Sequence, residues 1–189
     1  MKKTVIATLC VSLLCPLFAN AATSVTLDGH SLTLDDAWAI AQGEKQVDIA
    51  STAMERVDKA NKLLMIAGKG VPVYGLTVGV GLNKDKSLFD AHGKLTSEVL
   101  QASREFNINA LHAHAAGVGP DMPDELVRLA MVIRLNTMLT GNTGAQPQVA
   151  KMYQQFLNKH ITPVVPSRGS VGEADITLAS HIGDVMIGE

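Results

Sequence analysis

Val164-Val165-Pro166-Ser167-Arg168-Gly169-Ser170-Val171-Gly172-Glu173-Ala174-Asp175 is the stretch from which the rest of the chain is best approached. A proline-punctuated loop gives way to two glycines bracketing Ser170-Val171, then to an acidic pair that opens an apolar run. Glycine tolerates backbone conformations that a β-carbon forbids. Asp175 or Thr177 is the expected N-cap of a helix over Ile176 to Ile187. A glycine-rich turn feeding a helix start presents backbone N–H groups and the positive end of the helix to a ligand. Many loops share this pattern, so it names no function by itself.

The preceding segments are helical in pattern. Pro123 sits in a first turn with Asp124 and Glu125 at the positive end, and Gly141-Asn142 closes the helix. Leu126, Leu129, Ala130, Ile133 and Thr137 recur at helical spacing and form its expected buried face. A further helix opens at Pro147 and carries Val149, Met152, Tyr153, Phe156 and Leu157, with Lys159 and His160 near its negative end. These helices read as packing elements, and Asn136 reads as structural. Earlier in the chain, Thr33 caps a helix carrying Leu34, Ala37, Trp38 and Ala41, ended by Gly43. Thr52 with Glu55 has the pattern of a capping box for a second helix. Met54, Val57, Ala60, Leu63 and Leu64 form the expected stripe of that helix, with Gly68 and Gly70 as stops. Thr96 to Ala116 is the expected third helix, with Val99, Leu100, Phe106 and Leu111 among its apolar positions. Ala22 to Leu32 is a short β-prone lead, read as a hairpin turning at Asp28-Gly29. The architecture expected is mainly α: long packed helices with a small irregular amino-terminal lobe.

Composition narrows the function classes. The 189 residues are 47% hydrophobic with a formal charge of −2, enough apolar material for one well-buried domain. The absence of a basic surplus or arginine-rich run argues against a nucleic-acid partner. Met1 to Ala21 has the form of an export signal: Lys2 and Lys3, an apolar run from Thr4 to Phe18, and the small-x-small site Ala19-Asn20-Ala21. The run is short for a bilayer span, so export to the periplasm or medium is expected, with no membrane association after cleavage. Cys10 and Cys15 both lie in this peptide, which leaves a cysteine-free mature chain from Ala22 without disulfide or thiol chemistry.

Two residues stand out in the middle of the chain. Tyr74 lies in Val71 to Gly81, a β-prone and glycine-broken loop or brief strand; taken alone, it is an amphipathic tyrosine half-buried with its hydroxyl in water. His112 and His114 raise the question of a metal. Residues two apart on a helix point to different sides, and the mature chain has no cysteine to complete a zinc site, so no metal is expected.

Three ordered segments together resemble the histidine and phenylalanine ammonia-lyase family. They are Val73-Tyr74-Gly75-Leu76-Thr77-Val78-Gly79-Val80-Gly81, His114-Ala115-Ala116-Gly117-Val118-Gly119, and Pro166-Ser167-Arg168-Gly169-Ser170-Val171-Gly172. The resemblance runs from about Leu32 to the C-terminus. It implies that Tyr74 is the base that takes the substrate's β-proton, and that His114 and Gly81 contact the substrate. It further implies a small amino-acid-like substrate and a homotetramer whose active sites draw residues from several subunits. Family members are longer, and the apolar helix ending at Glu189 shows no capping residue after it. Residues 22–189 are therefore expected to be the amino-terminal portion of an ammonia-lyase-like domain, inactive alone.

One position departs from the family. Its members build an electrophilic ring, the MIO group, from an Ala-Ser-Gly triad whose serine hydroxyl leaves as water. The matching register here is Glu173-Ala174-Asp175. Ala174 has no hydroxyl to lose and Asp175 replaces the glycine, so the MIO group is expected to be absent. Two explanations stay open. The protein eliminates a leaving group that needs no electrophile, such as the trimethylammonium of a histidine betaine, with Glu173 and Asp175 holding the cation. Alternatively, the scaffold has lost catalysis and persists as a binding protein or non-functional fragment, with Glu173 and Asp175 as ordinary helix-start acids.

Overall fold

The computed structural model describes residues 23–67, 71–80, 85, 97–170, 172 and 175–189. The expected export peptide over Met1 to Ala21 lies outside these residues, as do Gly81, Glu173 and Ala174. Six helices and four short strands are described: β1 (Ser24–Leu27), α1 (Leu34–Ala41), β2 (Gln46–Ile49), α2 (Ser51–Ala67), α3 (Ser97–His114), β3 (Val118–Asp121), α4 (Asp124–Leu139), α5 (Pro147–Asn158), β4 (Pro166–Arg168) and α6 (Ile176–Ile187). The fold is mainly α.

The amino-terminal lead is not a hairpin. β1 pairs parallel with β2, Ser24 opposite Gln46 and Leu27 opposite Ile49, and α1 is the crossover that a parallel pair requires. The Asp28 carboxylate explains why the chain turns away instead of doubling back. It accepts the His30 and Ser31 amides, each at 2.8 Å, and the Ser31 hydroxyl at 2.9 Å. Those bonds, the His30 amide foremost, hold the carboxyl at about 2. Gly29 follows at φ +89 beneath α4, where a β-carbon would stand 2.7 Å from the Thr140 nitrogen. Its amide donates to Asn136 Oδ1 at 3.1 Å, a structural use of that side chain. Thr33 caps α1 as expected, its hydroxyl accepting the Asp36 amide at 3.1 Å.

The outer edge of β2 is closed by side chains of α5. Asn158 accepts the Val47 amide at 2.8 Å and returns its own amide to the Val47 carbonyl at 2.9 Å, and Gln154 donates to the same carbonyl. An otherwise open strand edge is thereby paired within the chain.

The core lies where α1, α4 and α5 meet this two-stranded sheet, and includes Leu27, Ile40, Val47, Met131, Leu135, Leu139 and Leu157. α4 turns a different face inward from the one its spacing suggests. Val127, Arg128, Met131, Val132, Leu135, Met138 and Leu139 are buried, while Leu126 and Ile133 stay exposed. α4 is apolar nearly all round, so periodicity does not choose between its faces. Arg128 marks the inward face. Its guanidinium donates to Ala41 O at 2.7 Å, Ile40 O at 3.0 Å and Leu157 O at 3.1 Å, serving carbonyls at the C-terminal ends of α1 and α5 together. Burial pushes its pKa down from the ordinary arginine value.

Two expected helix starts form differently. Ala50 donates to Leu27 O across the sheet, and its own carbonyl accepts the Ala53 and Met54 amides. The chain therefore passes from β2 directly into α2, and Thr52 falls inside the first turn without forming a capping box. Of the expected α2 stripe only Val57 is fully buried, joined by Ala53, while Leu63 is 66% exposed. Leu64 closes against Gly144, where a β-carbon would lie 2.6 Å from its Cδ2. At α6, Asp175 occupies the N-cap position at φ +48 without a capping bond from its side chain. Gly188, at φ +94, closes the other end of α6, a C-cap the sequence reading did not assign.

Candidate active site

The loop carrying Tyr74 is shaped by a threonine. Thr77 is buried; its hydroxyl accepts the Val73 amide at 2.7 Å and donates to Val71 O at 3.2 Å. Its amide and that of Leu76 also turn back to Val73 O, at 2.9 and 3.0 Å. Gly75 completes the bend at φ +74, where space is open but a side chain would be strained. Tyr74 bridges to Val78 and is left 64% exposed. Of the expected loop or brief strand, the described residues form a loop with one isolated bridge, and its inner support is Thr77.

α3 brings the second residue. Tyr74 and His114 line one pocket of about 600 Å³, closed by Phe106, Ala110 and Leu111 of α3 and by Ile176 and Ser180 of α6. His114 Nδ1 lies 2.5 Å from Ala110 O, one turn back. A carbonyl only accepts, so Nδ1 carries a proton, and in the neutral form of the ring Nε2 presents a lone pair. Exposed His112 shares no site with it. Among the described residues, no three His, Cys, Asp or Glu side chains cluster as a metal site would need.

The turn after His114 is clasped to α6. The Gly117 amide donates to His181 Nε2 at 3.0 Å, and a β-carbon on Gly117 would lie 2.7 Å from that nitrogen. β3 and β4 then pair antiparallel, so the Pro166-Ser167-Arg168 segment is a short strand and not wholly loop. The glycine-rich motif and the His114 motif thus form one unit.

Asp175 is placed elsewhere. Its carboxylate accepts the Ser170 hydroxyl, which itself accepts the Gly172 amide at 3.0 Å. Asp175 lines a separate cavity of about 280 Å³ that Arg134 and Tyr153 share. Burial raises the Tyr153 hydroxyl pKa above its ordinary value. Tyr74 and His114 are therefore brought together, while Asp175 faces a neighbouring space; Gly81, Glu173 and Ala174 lie outside the described residues. Sequence reasoning missed Thr77, Ser180 and His181. Single Ser, Thr or His residues on a loop or helix carry no spacing signature, and their value lies in partners far along the chain.

The family model described as aromatic amino acid lyase matches residues 32–189, most of the chain. The chain belongs to that family. A histidine ammonia-lyase of Staphylococcus aureus (strain bovine RF122 / ET3-1) is 33% identical over 165 residues, covering 86% of this chain and 31% of that protein. Among solved structures, the ergothioneine-degrading enzyme ergothionase from Treponema denticola, in complex with desmethyl-ergothioneine sulfonic acid, is 44% identical with a TM-score of 0.76. That match covers 88% of this chain and 32% of the ergothionase chain. Histidine ammonia-lyase from Trypanosoma cruzi is 25% identical with a TM-score of 0.69, covering 88% of this chain and 30% of that one. The chain thus spans about a third of the length of these relatives.

Proposed function

We propose that this lyase chain is the amino-terminal portion of an exported carbon–nitrogen lyase that eliminates trimethylamine from a histidine-type betaine without the MIO electrophile. The observation that carries the reading is a site keeping Tyr74 and His114 on one pocket while the triad register is Glu173-Ala174-Asp175. The residues present do not fit the electrophilic ring. Ala174 has no hydroxyl to leave, and Asp175 bears a side chain, engaged with Ser170, where the ring-closing glycine would stand. The 44% identity to a structure described as ergothioneine-degrading supports a betaine as substrate.

The chemistry balances without an electrophile. An ammonia-lyase must make a neutral amine leave, whereas a trimethylammonium group departs as a neutral amine once it takes the C–N electron pair. The Tyr74 phenolate takes the β-proton, the C–H pair becomes the new C=C bond, and trimethylamine leaves with the C–N pair. The product is an acrylate conjugated to the ring. His114 contacts the substrate ring through Nε2, and the family motif assigns Gly81 to the same substrate. Asp175 is engaged with Ser170, which makes Glu173 the carboxylate assigned to the cation.

The activity is assigned to the full-length protein as a homotetramer, and the 189-residue chain alone is expected to be inactive. The test is an assay of the protein from its complete gene, offering histidine and, separately, its trimethyl betaine, and following the acrylate absorbance. Product from the betaine and none from histidine is expected. Tyr74→Phe should lower that rate by about a hundredfold or more. Ammonia released from histidine, with no product from either a thiolated or a thiol-free betaine, would overturn the reading.

A further inference from the structure

Two polar side chains of the Tyr74 pocket are at least partly enclosed: His114 on α3 and Ser180 on α6. Each spends its one proton on its own helix. His114 Nδ1 donates to Ala110 O at 2.5 Å, and Ser180 Oγ donates to Ile176 O at 2.7 Å, both one turn back. With the ring in its neutral form, what remains for a ligand is the Nε2 lone pair and the lone pairs of Oγ. This part of the wall accepts hydrogen bonds and has none to give. Ser180 is 8% exposed, so a mismatched group against it has little water to turn to.

The two acceptors are also held in place relative to each other. Leu111 packs on Gly183, where a β-carbon would lie 2.6 Å from Leu111 Cδ2, so α3 and α6 approach closely. The Gly117 amide on His181 Nε2 ties the same helices next to both residues.

A neutral imidazole presents one N–H and one bare nitrogen, so on such a wall one of its two nitrogens sets lone pair against lone pair. An imidazole-2-thione carries N–H at both nitrogens and satisfies both acceptors. We infer that Ser180 is a specificity-determining residue which, with His114, selects substrate rings that donate at both nitrogens, an imidazole-2-thione over a neutral imidazole. The inference rests on the lyase reading above and assigns the ring-reading role to a serine outside the three family motifs.

The test compares the thione and imidazole betaines at about pH 8, where a free imidazole is neutral. It uses the full-length protein, Ser180→Ala and Ser180→Thr, the last keeping a hydroxyl able to make the same helix bond. The wild type should favour the thione by tenfold or more in kcat/KM, the order expected for one mismatched buried polar contact. Ser180→Ala should lose most of that ratio through KM for the thione, and Ser180→Thr should restore it with an unchanged melting temperature. A ratio near one in the wild type, or one unmoved by Ser180→Ala, overturns the inference. If neither betaine reacts, the lyase reading fails. The ratio is then read from calorimetric affinities for the two betaines, where a thione preference lost in Ser180→Ala sustains the role of Ser180, and equal affinities or an unmoved ratio overturn it.

Discussion

The half of the molecule built from β1, β2, α1, α4 and α5 and the half built from α3, α6 and the Tyr74 loop are secured by different means. The first is apolar and closed: Leu27, Ile40, Val47, Leu135 and Leu139 are wholly inaccessible. In the second, two of the few buried residues are Thr77 and Ser180, and polar bonds take much of the load: Thr77 to Val73, Gly117 to His181, Ser170 to Asp175. Apolar burial is non-directional and tolerates changes in detail, while hydrogen bonds fix orientation at a smaller net gain. The first half therefore sets whether the chain folds, and the second sets where the pocket groups point.

Substitutions in the two halves should separate accordingly. The largest effect is expected at Leu135→Ala, which opens a cavity in the closed core and should cost about 2–5 kcal/mol, read as a fall in denaturant midpoint. A similar loss at Leu111→Ala, which lies in the wall of the open pocket, would erase the distinction between the halves. Arg128→Met should follow at about 1–3 kcal/mol, because it takes the donor from the Ala41 carbonyl and leaves the Ile40 and Leu157 carbonyls with only the Gly43 and His160 amides. Arg128→Met matching the wild type in the same titration would show that those carbonyls find other partners.

In the site half, His181→Ala should cost about 1 kcal/mol but expose the Gly117 amide to exchange, and His181→Gln, whose side-chain oxygen can accept that amide, should keep it protected. Equal protection in all three proteins would remove His181 from the pocket's support. The smallest effect concerns pH. The Asp28 carboxyl is held at about 2, below its ordinary value near 4, so it favours the fold above about pH 4. That contribution is lost as pH falls from about 4 through about 2. Asp28→Ala should flatten this part of the melting-temperature profile, and an unchanged slope would mean that the turn bonds survive in the unfolded chain.

What was legible in the sequence follows the same division. Thr33, Pro147 and the apolar run from Ile176 to Ile187 mark their helices because caps and breakers act locally. The inward face of α4 was not legible, since Leu126 and Ile133 satisfy helical spacing as well as Met131 and Leu135 do, and only packing against α1 and α5 decides between them. The parallel pairing of β1 with β2 was hidden for a related reason: Asp28-Gly29 signals a turn, and turn chemistry does not say which strand comes next. At the site, Tyr74 and His114 were found through motif resemblance. Ser180 and His181 were not, because each matters through a partner on another element or the cavity it faces. Asp175, read as a cap or a cation ligand, is turned to Ser170 by a left-handed backbone that no local pattern announces.

The proposed elimination needs no electrophile made from the chain's own backbone. The measurement that bears on it most directly is the intact mass of the full-length protein, compared with the mass encoded between its own termini. The encoded mass is expected, alongside trimethylamine release from the betaine. A mass lower by one or more waters, localised by proteolysis to the peptide containing Glu173-Ala174-Asp175, would contradict it.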